Sequence, residues 1–449
     1  MKKIYLLLFW GLFSLTLQAQ LTELYIAPSG TGSEDGTSFD DAMDIPGLLS
    51  YLSSYGNSYP FPTEITLAFA GGDYYGYNLQ IYSNIWLANV TGLHIYGGFD
   101  PNLDPAPFDP NNYNDIEEVL EVRDLENNPT ILHACNLNSS PLPSNYHPLL
   151  WIANGYSPTN TLNIIDGFVF TSDQTWVGSS AMALQASDFL ISRCKIIDYY
   201  TTDQLIFLEG GENIVTFANC LIADNEADVT FDAYIDAASI INTTIANNNH
   251  LLAFIYSDIN FNIQNSILWG NSDLYIASGG TNPNSDVSNS IIESQEWWMN
   301  DIGGNLWITD PEFIYQTAQP YSCVASTLQM NNIGAVAPSP AINAGDPNAL
   351  LYLPHGFENH DIINHPRLTA GGLIDIGAYQ NITPYGQSYY MPKRPSQTDT
   401  SATNESTLIY SITGQKICSL EQHEWRLLPS GMFIITSPDG THSRKIINP

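Results

Sequence analysis

Asn219-Cys220-Leu221-Ile222, Asn242-Thr243-Thr244-Ile245, Asn265-Ser266-Ile267-Leu268 and Asn289-Ser290-Ile291-Ile292 decide the fold of this chain. Two earlier stretches, Asp166-Gly167-Phe168-Val169 and Arg193-Cys194-Lys195-Ile196, fit the same frame. With Gly167, Cys194, Cys220, Thr243, Ser266 and Ser290 taken as equivalent, the steps are 27, 26, 23, 23 and 24 residues. A period in the twenties marks a solenoid. The small residue and the aliphatic residue two places on share one face of a strand, which fits a narrow buried interior. Asn219, Asn242, Asn265 and Asn289 stand one place before the small residue, and Asn225, Asn248 and Asn271 five places after it. Stacked rungs lie about 4.8 Å apart, so both columns are expected to form amide ladders. Asn also tolerates the left-handed backbone of a tight corner. The Leu-x-x-Leu-x-Leu framework of leucine-rich repeats is missing. The reading is all-β: a right-handed parallel β-helix solenoid, followed by a small C-terminal β-sandwich.

Residues 1–20 read as a secretory signal peptide: Lys2 and Lys3, then an apolar run from Ile4 to Leu17 and a small-residue end at Ala19. The run is too short for a confident membrane span, and no later segment reaches that length, so no span is expected in the mature chain. Residues 21–390 form the β-helix passenger. Residues 391–405, rich in Pro, Ser and Thr, read as a linker. Residues 406–449 carry three alternating apolar stretches, Leu408–Ile417, Leu428–Ile435 and Arg444–Ile447, broken by Thr-Gly, Pro-Ser-Gly and Pro-Asp-Gly turns. This tail resembles the C-terminal sorting domain of the type IX secretion system of Bacteroidetes. The resemblance implies the type IX machinery as partner, export to the extracellular or outer-membrane surface, and removal of the tail.

Charge separates the passenger from its tail. Five of the 46 acids lie beyond residue 390 and none before residue 21, which leaves 41 in the passenger against Arg123, Arg193, Lys195 and Arg367, a net of −37. Such a field repels nucleic acid and favours cations, Ca²⁺ foremost. Plain solubility of an extracellular protein explains it more simply than a specific metal role. Cys194 and Cys220 fall in one column on adjacent rungs and read as stacked interior thiols, with a bridge as the alternative.

The passenger's ends carry Leu24-Tyr25-Ile26-Ala27-Pro28-Ser29-Gly30, Leu93-His94-Ile95-Tyr96-Gly97-Gly98-Phe99, Ser339-Pro340-Ala341-Ile342-Asn343-Ala344-Gly345-Asp346 and Ile374-Asp375-Ile376-Gly377-Ala378-Tyr379-Gln380. Residues 22–380 look like the secreted β-helix surface proteins of the pectin-lyase-like superfamily. That implies the fold and hardly any activity. The end motifs read as caps, with Arg367 paired to Asp375 or Asp361 closing the last rung; the rival reading is a Ca²⁺ site built from Asp346, Asn359, Asp361 and Asp375.

Three functions remain. The first is non-catalytic carbohydrate binding or adhesion through loop aromatics, with Trp297-Trp298 and Tyr199-Tyr200 foremost and extracellular polysaccharide as partner. The second is a polysaccharide lyase or hydrolase, with Arg193 and Lys195 facing outward beside a column of Asp198 and Asp224. The third is a structural surface-layer component. No phosphate loop, Ser-His-Asp set or Cys/His metal spacing is present.

Overall fold

The computed structural model describes residues 22–55, 63–75, 79–82, 90–102, 123–134, 148–153, 162–172, 180–185, 188–248, 252–255, 260–271, 274–277, 285–295, 299–311, 313, 339–354, 357–369, 372–380, 407–411, 416–420, 431–436 and 443–448. The signal, the linker and Trp297-Trp298 therefore lie outside the described residues. The chain divides into two units, 1–388 and 389–449. No described helix is long and apolar enough to cross a membrane.

The first unit is a parallel β-helix with three faces. Face three is a 9-stranded parallel sheet that includes Thr130–His133, Phe168–Thr171, Lys195–Ile197, Leu221–Ala223, Thr244–Ala246 and Ile267–Trp269. Faces one and two share a 15-stranded sheet. Face one includes Leu150–Ala153, Met182–Gln185 and the first halves of Gln204–Ala218 and Val229–Ile241. Face two holds their second halves with Asn163–Asp166, Phe189–Ser192, Asn260–Gln264 and Ser285–Ser288. The long strands bend between faces one and two, where their register shifts between Glu209 and Ile214.

Each rung turns two tight corners, and the corner residues are what the backbone demands. Arg193, Asn219, Asn242, Asn265 and Asn289 link face two to face three with φ between 48° and 55°. Asp198, Asp224 and Asn247 follow face three with φ between 50° and 57°, and Gly270 takes the next rung at 69°. Asn, Asp and Gly are the residues that reach this region cheaply.

Inside the coil the repeat becomes two ladders. Cys220 N–H donates to Thr243 Oγ1 (3.2 Å), Thr243 N–H to Ser266 Oγ (3.2 Å) and Ser266 N–H to Ser290 Oγ (3.1 Å), so each small polar residue satisfies the corner backbone of the rung before it. Asn225 Nδ2 donates to Asn248 Oδ1 and Asn248 Nδ2 to Asn271 Oδ1, both at 2.9 Å, and each amide also donates to an aliphatic carbonyl of the previous rung. Beside them stack Ile196, Ile222, Ile245, Leu268 and Ile292, all at most 1% exposed. Cys194 and Cys220 are buried thiols, and burial pushes the Cys220 thiol up to about 12. The helix Ile45–Tyr55 closes the N-terminal end by adding Ile45, Leu48 and Leu52 to this core. Asp44 caps it, its carboxylate accepting from Gly47 N–H at 2.7 Å, and Pro46 sits where no N–H is needed.

The segment 339–380 runs back along the outside of the coil, and this corrects the expectation that it closes the last rung. The outward side of face three is apolar, and the strap covers it: Ala341 and Ile376 pack on Ile267 and Ile291, and Ile362, Ala378 and Tyr379 on Ile197, Leu221, Ala223 and Ala246. The left-handed corners hold it down. Asn265 exchanges two bonds with the Asp346 backbone (2.8 and 2.9 Å), Asn219 Nδ2 donates to Phe357 O (3.3 Å) and Arg193 Nη1 to Asn364 Oδ1 (2.7 Å). Arg367, fully buried, donates to Asn219 Oδ1 through Nε and Nη2 and to Ala378 O, in the middle of the coil. Two of the four corner asparagines, Asn219 and Asn265, are therefore strap anchors, and among the described residues one rung-to-rung amide bond joins the column, Asn265 to Asn242 at 3.2 Å. Gly377 explains its motif: at φ 97° a Cβ would meet Thr244 Oγ1 and the Ile267 Cδ1 at 2.8 Å.

The second unit has four described strands, Thr407–Ser411, Lys416–Leu420, Gly431–Thr436 and Ser443–Asn448, in one antiparallel sheet. Its first sequence stretch divides between two antiparallel strands, Thr407–Ser411 and Lys416–Leu420, and the described strands make a single sheet.

Candidate functional site

Face one presents the chemistry suited to an extended ligand. Its inward residues, Leu150, Ile152, Met182, Leu184, Ile206, Leu208 and Phe231, are core. Alternation therefore sends Trp151, Ala183, Phe207 and Asp232 outward in one register column, and Ala153, Gln185, Glu209 and Tyr234 in the next. Glu209 and Tyr234 are exposed, while Trp151, Gln185, Phe207 and Asp232 are half-buried. Trp151 and Phe207 lie two rungs apart, about 10 Å, with buried Ala183 between them as the floor. Trp151 Nε1 donates to Gln185 Oε1 (3.4 Å) and Gln185 Nε2 to Glu209 Oε2 (2.7 Å), so the second column is a polar file held in place. Phe207 and Tyr234 meet edge to face with centroids 6.1 Å apart. Burial above all, then the charges of Asp203 and Glu209, raise the Asp232 carboxyl above the ordinary carboxylate range. Ring faces alternating with fixed acceptors along a repeating flank are what a polymer of polar rings with apolar faces requires.

The bases of the passenger are nowhere on its surface. Arg123 and Arg193 are 2% exposed, Lys195 6% and Arg367 0%, and no other Lys or Arg occurs between residues 21 and 390. Arg123 and Arg193 both pair with the buried Asp166 carboxylate, Arg193 through Nε at 3.0 Å and Nη2 at 2.7 Å. The guanidinium groups hold the Asp166 carboxyl below the usual range against the cost of its burial. Burial brings Lys195 down to about 8, opposed by Glu126 and Asp361.

The residues chosen from sequence thus separate. Arg193 and Lys195 do face away from the coil interior, but the buried ion cluster takes the first and the strap region encloses the second. A lyase base must reach its substrate, and neither side chain is accessible. Asp198 and Asp224 do meet at the second corner: burial first, then the Asp224 charge, raise Asp198 to about 7. Tyr199 is a core residue, 1% exposed, whose hydroxyl donates to Ser180 O, so its ring is not offered to a ligand; Tyr200 is half-buried. Among the Ca²⁺ candidates, the Asp361 carboxylate accepts from the N–H groups of Ile363, His365 and Gln380, that of Asp375 from Asn343 N–H, and that of Asp346 from Asn348 N–H. Asp346 and Asp361 fix local turns of the strap, and Asp361 and Asp375 also tie distant parts of it together. Among the described residues no group of three or more His, Cys, Asp or Glu could hold a metal ion.

Trp151, Gln185, Phe207, Glu209 and Tyr234 were not singled out by the sequence. Their strands precede the regular repeat or share the long strands that cross two faces, so no column revealed them. The signal available was alternation, as in Gln204-Leu205-Ile206-Phe207-Leu208-Glu209. No family model, no curated protein and no solved structure matches the chain.

Proposed function

We propose that this is a secreted, surface-delivered β-helix protein that binds carbohydrate along face one without catalysis. The observation that carries the reading is the flank built by Trp151, Phe207 and Tyr234 with the fixed file of Gln185 and Glu209. The inaccessibility of Arg193 and Lys195 favours it over the lyase alternative. In this reading the tail delivers the passenger through the type IX machinery. The test is retention of the full chain on a panel of immobilised polysaccharides, read together with absorbance of unsaturated sugar ends. Retention without product is expected, weakened at least tenfold by Trp151→Ala and by Tyr234→Ala. Retention indifferent to both variants sinks the reading, and new absorbance makes the protein a lyase.

A further inference from the structure

We propose that the face-one flank takes a glycan whose repeating sugar carries a free amine, a polymer of glucosamine type. The proposal rests on the carbohydrate-binding reading and names its ligand class. Charge complementarity is the argument. The passenger has a net charge of −37 and all four of its lysines and arginines are buried, so its surface offers polyuronates repulsion and no cationic partner. The flank concentrates this bias. Glu209 lies beside Tyr234, Asp232 beside Phe207 on the neighbouring rung, and Asp203 immediately precedes the strand Gln204–Ala218 that carries Glu209.

Burial beside the aromatic surface, and after it the charges of Asp203 and Glu209, make Asp232 hold its proton above the ordinary range. An ammonium placed between Glu209 and Asp232 removes that repulsion and makes charge-assisted hydrogen bonds to both. The ring faces of Trp151 and Phe207 then supply the stacking that a simple counter-ion lacks. An N-acetylated sugar keeps the stacking and loses the charge. A uronic acid keeps the stacking and reverses the charge. The flank therefore ranks amine over acetamide over carboxylate.

The full chain is titrated with glucosamine hexamer, N-acetylglucosamine hexamer and a polygalacturonate oligomer at low and at 0.3 M salt. The expected result is binding of the amine hexamer at least tenfold tighter than its acetylated form, no binding of the uronate, and weakening by salt. A diffuse acidic surface would attract the same hexamer, so two variants of equal charge separate the cases. Glu209→Gln with Asp232→Asn should cost at least tenfold. Glu34→Gln with Asp40→Asn, exposed acids away from the flank, should change affinity less than twofold. Equal effects of the two pairs overturn the proposal, as does acetylated or uronate ligand bound as tightly as the amine. The last two outcomes leave carbohydrate binding standing; absence of binding by all three oligomers and by the polysaccharide panel removes both.

Discussion

Faces one and three are built on the same rungs, yet one is closed and the other open. On face three the outward residues Ile197, Leu221, Ala223, Ala246 and Ile267 are aliphatic, and the chain returns from residue 339 to cover them. On face one the outward positions carry Trp151, Gln185, Phe207, Glu209, Asp232 and Tyr234. The rung specifies the coil through its inward residues and its left-handed corners. The outward residues decide whether a flank is used for stability or left for a partner. A strand apolar on both sides needs a second layer, and the strap is that layer.

The largest difference between the flanks should appear when each loses one large side chain. Arg367→Ala strips the Asn219 amide oxygen of its donor, takes one of two donors from the Ala378 carbonyl and removes the buried positive charge that acts on the buried Asp361 and Asp375. Removing one partner of such a buried set costs about 3–5 kcal/mol. Tyr234→Ala, 38% exposed on face one, should cost less than about 1 kcal/mol. Denaturant unfolding of both variants measures this. Comparable losses would mean that the strap adds nothing that the open flank lacks.

A smaller effect is expected where the comparison is neutral, inside the coil. Asn248→Ala breaks the amide ladder, removing the donor to Asn271 and to Ile222 O and the acceptor for Asn225. Asn225 Nδ2 keeps its bond to Ile196 O and Asn271 Oδ1 keeps the Asn248 N–H, so the loss falls mainly on Ile222 O and the Asn225 N–H. At about 1–3 kcal/mol for an unpaired buried group, a total near 3 kcal/mol is expected, below or level with Arg367→Ala. If Asn248→Ala costs under 1 kcal/mol, the ladder organises the coil without holding it.

The coil was legible because its rules are local. A small residue followed by an aliphatic at period two reports the interior, and an Asn or Asp at a fixed offset reports the corner. The strap was not, because Ile362 meets Leu221 from 141 positions away and nothing in the repeat announces the return. A trace existed in the aliphatic outward residues of face three, which no solvent-facing strand would keep. The same blindness misplaced Arg193 and Lys195: strand alternation says that they face away from the interior and says nothing of what lies beyond. Ser339-Pro340-Ala341-Ile342 and Ile374–Tyr379 were legible as motifs, but their role came only from what they pack against. The flank of face one was illegible for a different reason, since its strands lie where the loops vary and the period drifts.

Asp198 stands at the corner where closed face three ends, and it offers the smallest and most specific test. Burial and the Asp224 charge lift its carboxyl from 3.8 to about 7 in the fold. The folded state therefore prefers the protonated form. Its contribution to stability is complete below the unfolded value of 3.8 and is lost as pH rises through about 7. Asp198→Asn keeps the shape and the left-handed backbone and cannot ionise. Thermal unfolding of wild type and variant should coincide near pH 3.5 and diverge through neutrality, the variant melting about 2 °C higher at pH 8. Asp224→Asn should move the wild-type inflection to lower pH, because it removes the like charge while leaving the burial. Parallel curves across the window would show that solvent reaches the corner freely, and the boundary of the closed flank would then lie on the face-three side of Asp198.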